Sequence, residues 1–534
     1  MKIKKITLIA RQLGIRKKEL IPYGDYMAKV DISILDRIKD KTSAHLIFVT
    51  SINPTPRGEG KTTTAIGLTQ ALGRMNRKVI LCLRQPSLGP VFGVKGGATG
   101  GGKASLYPSQ DINLHFTGDC HAISTAHNLI SAALANHIYW GNEFKIKTLT
   151  WSRAIDISDR ALRKIQVGLN IKRGGFPYQD SFIITSASEL MAVIALYRNL
   201  PEFKKMISRI IVGWNKEGNP VFVRDLKLTP ALLYVLKSAL NPNLVQTIEG
   251  NPVFVHTGPF ANIAHGNSSL IATEIALRLC DFVITEGGFG SELGLEKFIH
   301  ITARKAGFKI SAVVIVISLR ALKYHGNSDF RKGLHLVKKH VEIVRKFSLS
   351  PVICVNKFPG DKDKDLKYIK EYCEQELKVP AELSEVYIKG GKGGVKLAEK
   401  VLKVVADNKP AIKFLYRLNE DVKGKIEKIA RIVYSASGVE YTPLAEEKIE
   451  YLKSRGLDKL PVNMAKTQFS LTHNPEIKGV PQEKWRLRVR DVLIYNGAGF
   501  ITPVTGKILL LPGLPRKPNY EKFKLKDGEI KGVI

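Results

Sequence analysis

Short unbroken apolar runs recur along the first two thirds of the chain. They are Leu46-Ile47-Phe48-Val49, Val79-Ile80-Leu81-Cys82-Leu83, Ile210-Ile211-Val212, Val253-Phe254-Val255, Phe282-Val283-Ile284, Ala312-Val313-Val314-Ile315-Val316-Ile317 and Val352-Ile353-Cys354-Val355. None alternates apolar with polar, so each predicts a strand covered on both faces, as in a parallel sheet. Between several of them apolar residues return at helical spacing. The clearest set is Ala122, Ile123, Ala126, Leu129, Ile130, Ala133, Leu134 and Ile138, one face of a helix. Asp119 stands where it would cap that helix. Residues 1–45 read as a helical or irregular preface. After about residue 350 the texture changes. Helical patterns follow near 364–375, 395–405, 420–434 and 444–454, and the tail from Trp485 reads as short strands and turns, Val492-Leu493-Ile494 being the clearest.

One turn in this alternation carries chemistry. Thr55-Pro56-Arg57-Gly58-Glu59-Gly60-Lys61-Thr62-Thr63-Thr64 lies between the strand at 46–49 and Ala65-Ile66-Gly67-Leu68-Thr69-Gln70-Ala71-Leu72, a helical pattern. Strand, Gly-rich turn and helix are the setting in which Gly-Lys-Thr cradles phosphate: backbone N–H groups and the helix start face an anion. Lys61 would reach the outer phosphates of ATP and the Thr62 hydroxyl would hold Mg²⁺. The usual first glycine of that pattern is Thr55 here. Read alone, the stretch could also be a β-to-α turn that needs glycine for its backbone angles.

Other strand ends carry polar or Gly-rich tails: Arg84-Gln85-Pro86, Glu286-Gly287-Gly288-Phe289-Gly290 and Asn356-Lys357-Phe358-Pro359. Ligands of parallel α/β sheets bind outside the carboxyl ends of the strands. Arg84 can fork onto a carboxylate or acyl phosphate. Glu286 could orient a metal ion or its water, or act as a turn residue. Lys95-Gly96-Gly97-Ala98-Thr99-Gly100-Gly101-Gly102-Lys103 reads as a lid, a backbone approach to ligand, or a linker. Phe358 and Tyr387 could stack a flat heterocycle, although on pattern alone such residues are more often part of a core. His115, His121, His127 and His137 form no metal-binding pair and read as solvent-facing or hydrogen-bonded core residues.

Composition sets outer limits. A chain of 534 residues with 44% apolar and 25% charged content is a folded protein of about two to four domains. No apolar run approaches the ~18 residues that span a bilayer. The basic start, Met1-Lys2-Ile3-Lys4-Lys5-Ile6, has neither the apolar length nor the cleavage site of a signal peptide. Cys82, Cys120, Cys280, Cys354 and Cys373 lie far apart, which argues against a zinc site or a disulfide framework and for a reducing cytoplasm. The net charge of +35 would attract polyanions. Its lysines are spread along the chain without interleaved aromatics, so a solvated basic surface is favoured over a nucleic-acid site.

Several segments together resemble the formate–tetrahydrofolate ligase family. They are Asn53-Pro54-Thr55-Pro56 running into Gly58-Glu59-Gly60-Lys61-Thr62-Thr63-Thr64, Pro86-Ser87-Leu88-Gly89-Pro90-Val91-Phe92-Gly93, and Asp111-Ile112-Asn113-Leu114-His115-Phe116-Thr117-Gly118-Asp119. Asn243-Leu244-Val245-Gln246-Thr247, Gly258-Pro259-Phe260-Ala261-Asn262-Ile263-Ala264-His265-Gly266, Ala465-Lys466-Thr467-Gln468 and Pro512-Gly513-Leu514-Pro515 follow in family order. Thr55 in the loop is the family's own form.

The resemblance implies that formate, ATP and tetrahydrofolate give 10-formyltetrahydrofolate, ADP and phosphate through formyl phosphate. It implies ATP contacts along Thr55, Pro56, Arg57, Gly58, Glu59, Gly60, Lys61 and Thr62, catalytic roles for Lys61, Arg84 and Asp119, and a pterin sandwich of Phe358 and Tyr387. Mg²⁺ would sit near Thr62 and Glu286. The implied architecture is P-loop NTPase-like: a nucleotide-binding domain over 1–348 with a mostly parallel sheet, then two smaller C-terminal α/β domains, a folate-side one over 349–455 and a last one over 456–534. A homotetramer is implied, with no specific nucleic acid and no membrane as partner. Departures fall mainly on the folate side. Gln85 replaces a Glu linked to monovalent-cation activation, which leaves that cation open. Tyr387 replaces a Trp, Lys103 a Tyr, Asn267 a Cys and Lys392 a Glu. Two alternatives follow from the residues: a partitioning-type P-loop ATPase that binds DNA, whose signature Lys would stand at Pro56, and a catalytically weakened homologue that binds nucleotide or folate.

Overall fold

The computed structural model describes residues 3–39, 44–93, 97–169, 177–408, 411–526 and 529–532. Its largest sheet contains β1 (Leu20–Tyr23), β2 (Met27–Val30), β3 (His45–Ser51), β4 (Val79–Leu83), β5 (Asn243–Thr247), β6 (Pro252–Val255), β7 (Phe282–Glu286), β8 (Ala312–Ile317), β9 (Pro351–Asn356) and β10 (Ala381–Ser384). The spatial order is β1-β2-β5-β6-β4-β7-β3-β8-β9-β10. From β6 to β10 every pairing is parallel, while β1, β2, β5 and β6 pair antiparallel at the other side.

The unbroken apolar runs have the cause expected of them. Leu46 and Phe48 enter a core on one face of the sheet, Ile47 and Val49 a second core on the other; Val313, Ile315 and Ile317 divide from Ala312, Val314 and Val316 in the same way. Helix α1 (Lys61–Arg74) covers the second face, with Thr64 through Leu72 all buried. The segment around Val386 packs so closely on α1 that a Cβ on Gly67 would lie 2.3 Å from that of Val386. On the first face runs α2 (Asp119–Tyr139), and α3 (Leu319–His325) and α4 (Phe330–Lys346) follow β8.

Several expectations are corrected. The preface supplies β1 and β2; both are short and one holds a proline, so their pattern is weak. Ile211–Asn215 is a strand, but of a separate antiparallel sheet with Ile146–Leu149 and Pro220–Phe222. The polar strand β5 carries no apolar run, yet Asn243, Gln246 and Thr247 are buried in it. Gly118, in the left-handed region at φ 89°, caps α2; the Asp119 side chain does not. The large sheet continues past residue 348 through β9 and β10. Strand Arg486–Val489 pairs in parallel with Gly438–Tyr441. Among the described residues no helix is long and apolar enough to cross a membrane.

Buried histidines make the fold acid-sensitive. Burial, the largest cause in each case, lowers His127 and His265 to about 3 and His256 and His325 to about 4. Unfolded, each ring titrates near its usual value of about 6.5, so below that pH the unfolded chain binds protons that the folded chain refuses. The stability from these rings is complete above about pH 6.5 and is lost as pH falls towards 4. The denaturant midpoint is expected to drop steadily over that window; a midpoint unchanged from neutrality to about pH 4.5 would contradict the neutral buried rings.

Candidate active site

The phosphate loop leaves β3 and enters α1 through two glycines in the left-handed region, Gly58 at φ 77° and Gly60 at φ 76°. At Gly60 a side chain is doubly excluded, since a Cβ would lie 2.5 Å from Asn356 Nδ2. Glu59 turns inward and braces the loop: the Thr55 N–H donates to its carboxylate at 3.0 Å, and the Ser318 hydroxyl donates to the other oxygen. Asn356 donates to the Glu59 carbonyl at 3.1 Å. Pro56, Arg57 and Gly58 form the exposed lip. The first N–H groups of any α-helix lie beyond its internal hydrogen-bond ladder, so the start of α1 is suited to an anion.

Parallel register carries three further groups to the same place. Thr285 lies opposite Cys82, so Glu286 and Arg84 leave neighbouring strands side by side. Thr62 Oγ1 donates to the Glu286 carboxylate, 2.9 and 3.1 Å from its oxygens. Lys61 Nζ donates at 2.5 Å to the carbonyl of Phe289, three residues beyond Glu286. Burial pulls the Arg84 guanidinium below its ordinary value, and the Glu286 carboxylate works against that pull. A Cβ on Gly288 would stand 3.1 Å from the guanidinium, so the glycine makes room for it.

Around Arg84 lie buried polar atoms that have no hydrogen-bond partner among the described residues: Arg84 Nε, Gln85 Oε1, Thr257 Oγ1, His265 Nε2 and both amide atoms of Asn267. Gln85 and the loop after β6 are locked together, the Gln85 N–H donating to the Thr257 carbonyl at 2.6 Å. Unpaired groups of this kind are costly in a core and suit a chamber that receives a small polar substrate.

The remaining sequence candidates divide. Asp119 is fully enclosed: Lys29 donates to one carboxylate oxygen at 2.6 Å and Asn243 to the other at 2.7 Å. Its neighbour Cys120 faces the Gln85 amide at 3.7 Å. Phe358 adjoins Gly60, and the Arg320 guanidinium lies 4.6 Å from its ring centre. Tyr387 is half exposed and borders Gly101 and Gly102. Both rings therefore flank α1. The described part of the second Gly-rich stretch is a tight hairpin, Gly100–Gly101 with Ala104–Tyr107, fastened by the Lys103 N–H to the Tyr387 carbonyl at 2.8 Å; Lys95 and Gly96 lie outside the described residues. His127 is a hydrogen-bonded core residue, all five cysteines are free, and no group of three or more His, Cys, Asp or Glu gathers for a metal among the described residues.

Sequence reasoning missed Arg320, which also donates to the Gly58 carbonyl, because nothing in a helix-start arginine marks it. It also missed a cavity of about 890 Å³ next to the Phe289 carbonyl loop. Phe289, Lys297, Lys466, Gln468, Arg490 and Lys507 are among its walls. Among the described residues four cations and no carboxylate line it, and the Ala465-Lys466-Thr467-Gln468 segment, read only as part of a resemblance, is the signal that could have led to it.

Fold and site together define a mixed α/β protein of enzyme type that gathers a lysine, an arginine, a carboxylate and a Gly-rich turn at the carboxyl ends of adjacent parallel strands. The family model described as formate–tetrahydrofolate ligase matches residues 1–534. A formate–tetrahydrofolate ligase of Thermotoga petrophila is 46% identical over 545 residues, an alignment covering 99% of this chain and 100% of that relative. The chain belongs to the formate–tetrahydrofolate ligase family. A match of this extent leaves no place for the DNA-partitioning alternative.

Proposed function

We propose that this chain joins formate to tetrahydrofolate in two steps at the end of β3, β4 and β7, with a P-loop NTPase-like use of ATP. The observation that carries the reading is the convergence of Lys61, Thr62, Glu286 and Arg84 on one point. Formate enters the chamber beside Arg84, whose guanidinium forks onto its two oxygens. One formate oxygen attacks the γ-phosphorus of ATP, the bond to the ADP oxygen breaks, and formyl phosphate forms. Lys61 and the N–H groups opening α1 hold the transferring phosphoryl group. Arg84 stabilises the acyl phosphate and then the oxyanion that develops when the folate N10 amine attacks the carbonyl. The carbon–oxygen bond to phosphate then breaks, and phosphate departs with a formate oxygen and the N10 proton.

Magnesium fits the donors present. The Thr62 hydroxyl and the Glu286 carboxylate offer hard oxygen ligands directly or through water, and their mutual hydrogen bond keeps both aimed at the nucleotide. The ion would supply charge neutralisation on the phosphates. Glu286→Gln is expected to raise the magnesium concentration needed for half-maximal activity by about ten-fold or more; an unchanged magnesium titration would exclude this role.

Phe358, beside Gly60, and the half-exposed Tyr387, beside Gly101 and Gly102, are assigned to the pterin. Asp119 is assigned an orienting role: its carboxylate ties the start of α2 to Lys29 of β2 and Asn243 of β5, and its neighbour Cys120 meets the Gln85 amide. No ligand is assigned to a monovalent cation at Gln85. A cytoplasmic homotetramer is the assembly we propose. Purified protein tests the whole reading: ADP release should require formate and should accelerate when tetrahydrofolate is added. ADP release indifferent to formate would overturn it.

A further inference from the structure

Asn53, two residues beyond the end of β3, is 1% exposed and makes contacts to four segments. Its side-chain amide donates to Glu292 Oε1 at 2.8 Å and to the Gln468 carbonyl at 3.1 Å. Its backbone N–H meets His340 Nε2 at 3.2 Å, and His325 Nε2 lies 2.9 Å from its carbonyl. Burial holds the His340 ring well below its ordinary pKa and hence neutral. A ring accepting the Asn53 N–H at Nε2 carries its proton on Nδ1, which lies 2.7 Å from the Ser291 hydroxyl.

Two of these contacts lead to the chemistry. Glu292 and Ser291 open a π-helical segment, Ser291–Leu295, that begins two residues after the Phe289 carbonyl, the acceptor for Lys61. Gln468 belongs to the wall of the cationic cavity. Short π-helical segments are frequent at functional sites. One buried amide thus joins the entry of the phosphate loop to the partner of Lys61 and to the cavity wall.

We infer that Asn53 is a positioning residue that sets the phosphate loop and the cavity wall in register, with Glu292 as its anchor. The inference rests on the assignment of the phosphate loop made above, and it takes the cavity, whose walls carry Lys297, Lys466, Arg490 and Lys507 and, among the described residues, no carboxylate, to receive the acidic part of the folate, away from the pterin. It predicts a particular pattern of kinetics. Asn53→Ala frees both the loop entry and Gln468, so the KM values for ATP and tetrahydrofolate should each rise about ten-fold or more. The KM for formate should stay within about two-fold, because the strand end that carries Arg84 makes no contact with Asn53 that this substitution removes.

A residue that only supports the fold gives a different result: fewer active molecules, lower kcat, and all three KM values unchanged. That result would overturn the inference. A second pair of variants keeps the test independent of the folding of Asn53→Ala. Glu292→Gln retains an oxygen for the Asn53 amide and should keep the ATP and tetrahydrofolate KM values within about three-fold, whereas Glu292→Ala should raise both. Equal KM values in the two Glu292 variants would also overturn it. Wild-type turnover measured alongside separates the two levels: a wild type that releases no formate-dependent ADP refutes the assignment of the site, whereas an active wild type with unmoved variant KM values refutes the Asn53 inference alone.

Discussion

Lys61→Ala is expected to reduce formate-dependent ADP release by about a thousand-fold or more, with the denaturant midpoint close to that of the unchanged protein. The side chain is partly exposed at the first position of α1, and the core below it begins at Thr64. Its removal therefore leaves no apolar cavity in the buried face of the helix. What disappears is the cation assigned above to the phosphate oxygens, where charge shifts in the transition state. Because the Phe289 carbonyl holds Nζ in place before substrate binds, the charge needs little reorganisation, and such preorganised groups carry the largest catalytic effects. Wild-type-like ADP release from a folded Lys61→Ala protein would refute the phosphate assignment.

Arg84→Lys is the second large effect. The substitution keeps the charge but loses the planar fork. It also leaves an ammonium in a site where burial already pulls the guanidinium below its usual value, and an ammonium yields its proton far more readily under burial than a guanidinium. Formate has two equivalent oxygens and no side chain, so the fork is nearly its whole means of recognition. The expected outcome is a loss of about a hundred-fold or more in kcat/KM for formate, with the KM for ATP changed by about three-fold at most. Steady-state kinetics with formate varied at saturating ATP measures it. An unchanged formate dependence would remove Arg84 from the substrate.

The strand ends that hold these groups were legible in the sequence because buried parallel strands are apolar throughout, and the polar residue that ends each run stands out. Arg84 and Glu286 were found in that way, and Lys61 by the Gly-rich turn between a strand and a helix. Two kinds of feature escaped. The strand β5 is polar in composition and is buried only because its side chains serve long-range partners: Asn243 reaches Asp119, 124 positions away, and Gln246 reaches Lys4. Periodicity cannot register such contacts. Residues that brace the site, such as Arg320 and Asn53, were invisible as functional groups for the same reason. The Asn53 contact with Gln468 spans 415 positions, and only the family segment in which Asn53 stands marked it.

Oxygen labelling tests the two-step account most directly. In the proposed route one formate oxygen becomes bonded to phosphorus and leaves with it when the folate amine takes the formyl group. With ¹⁸O-formate, ATP, magnesium and tetrahydrofolate, the released phosphate should carry one labelled oxygen for each formyltetrahydrofolate made. Phosphate free of label, beside formylated product, would contradict activation through formyl phosphate.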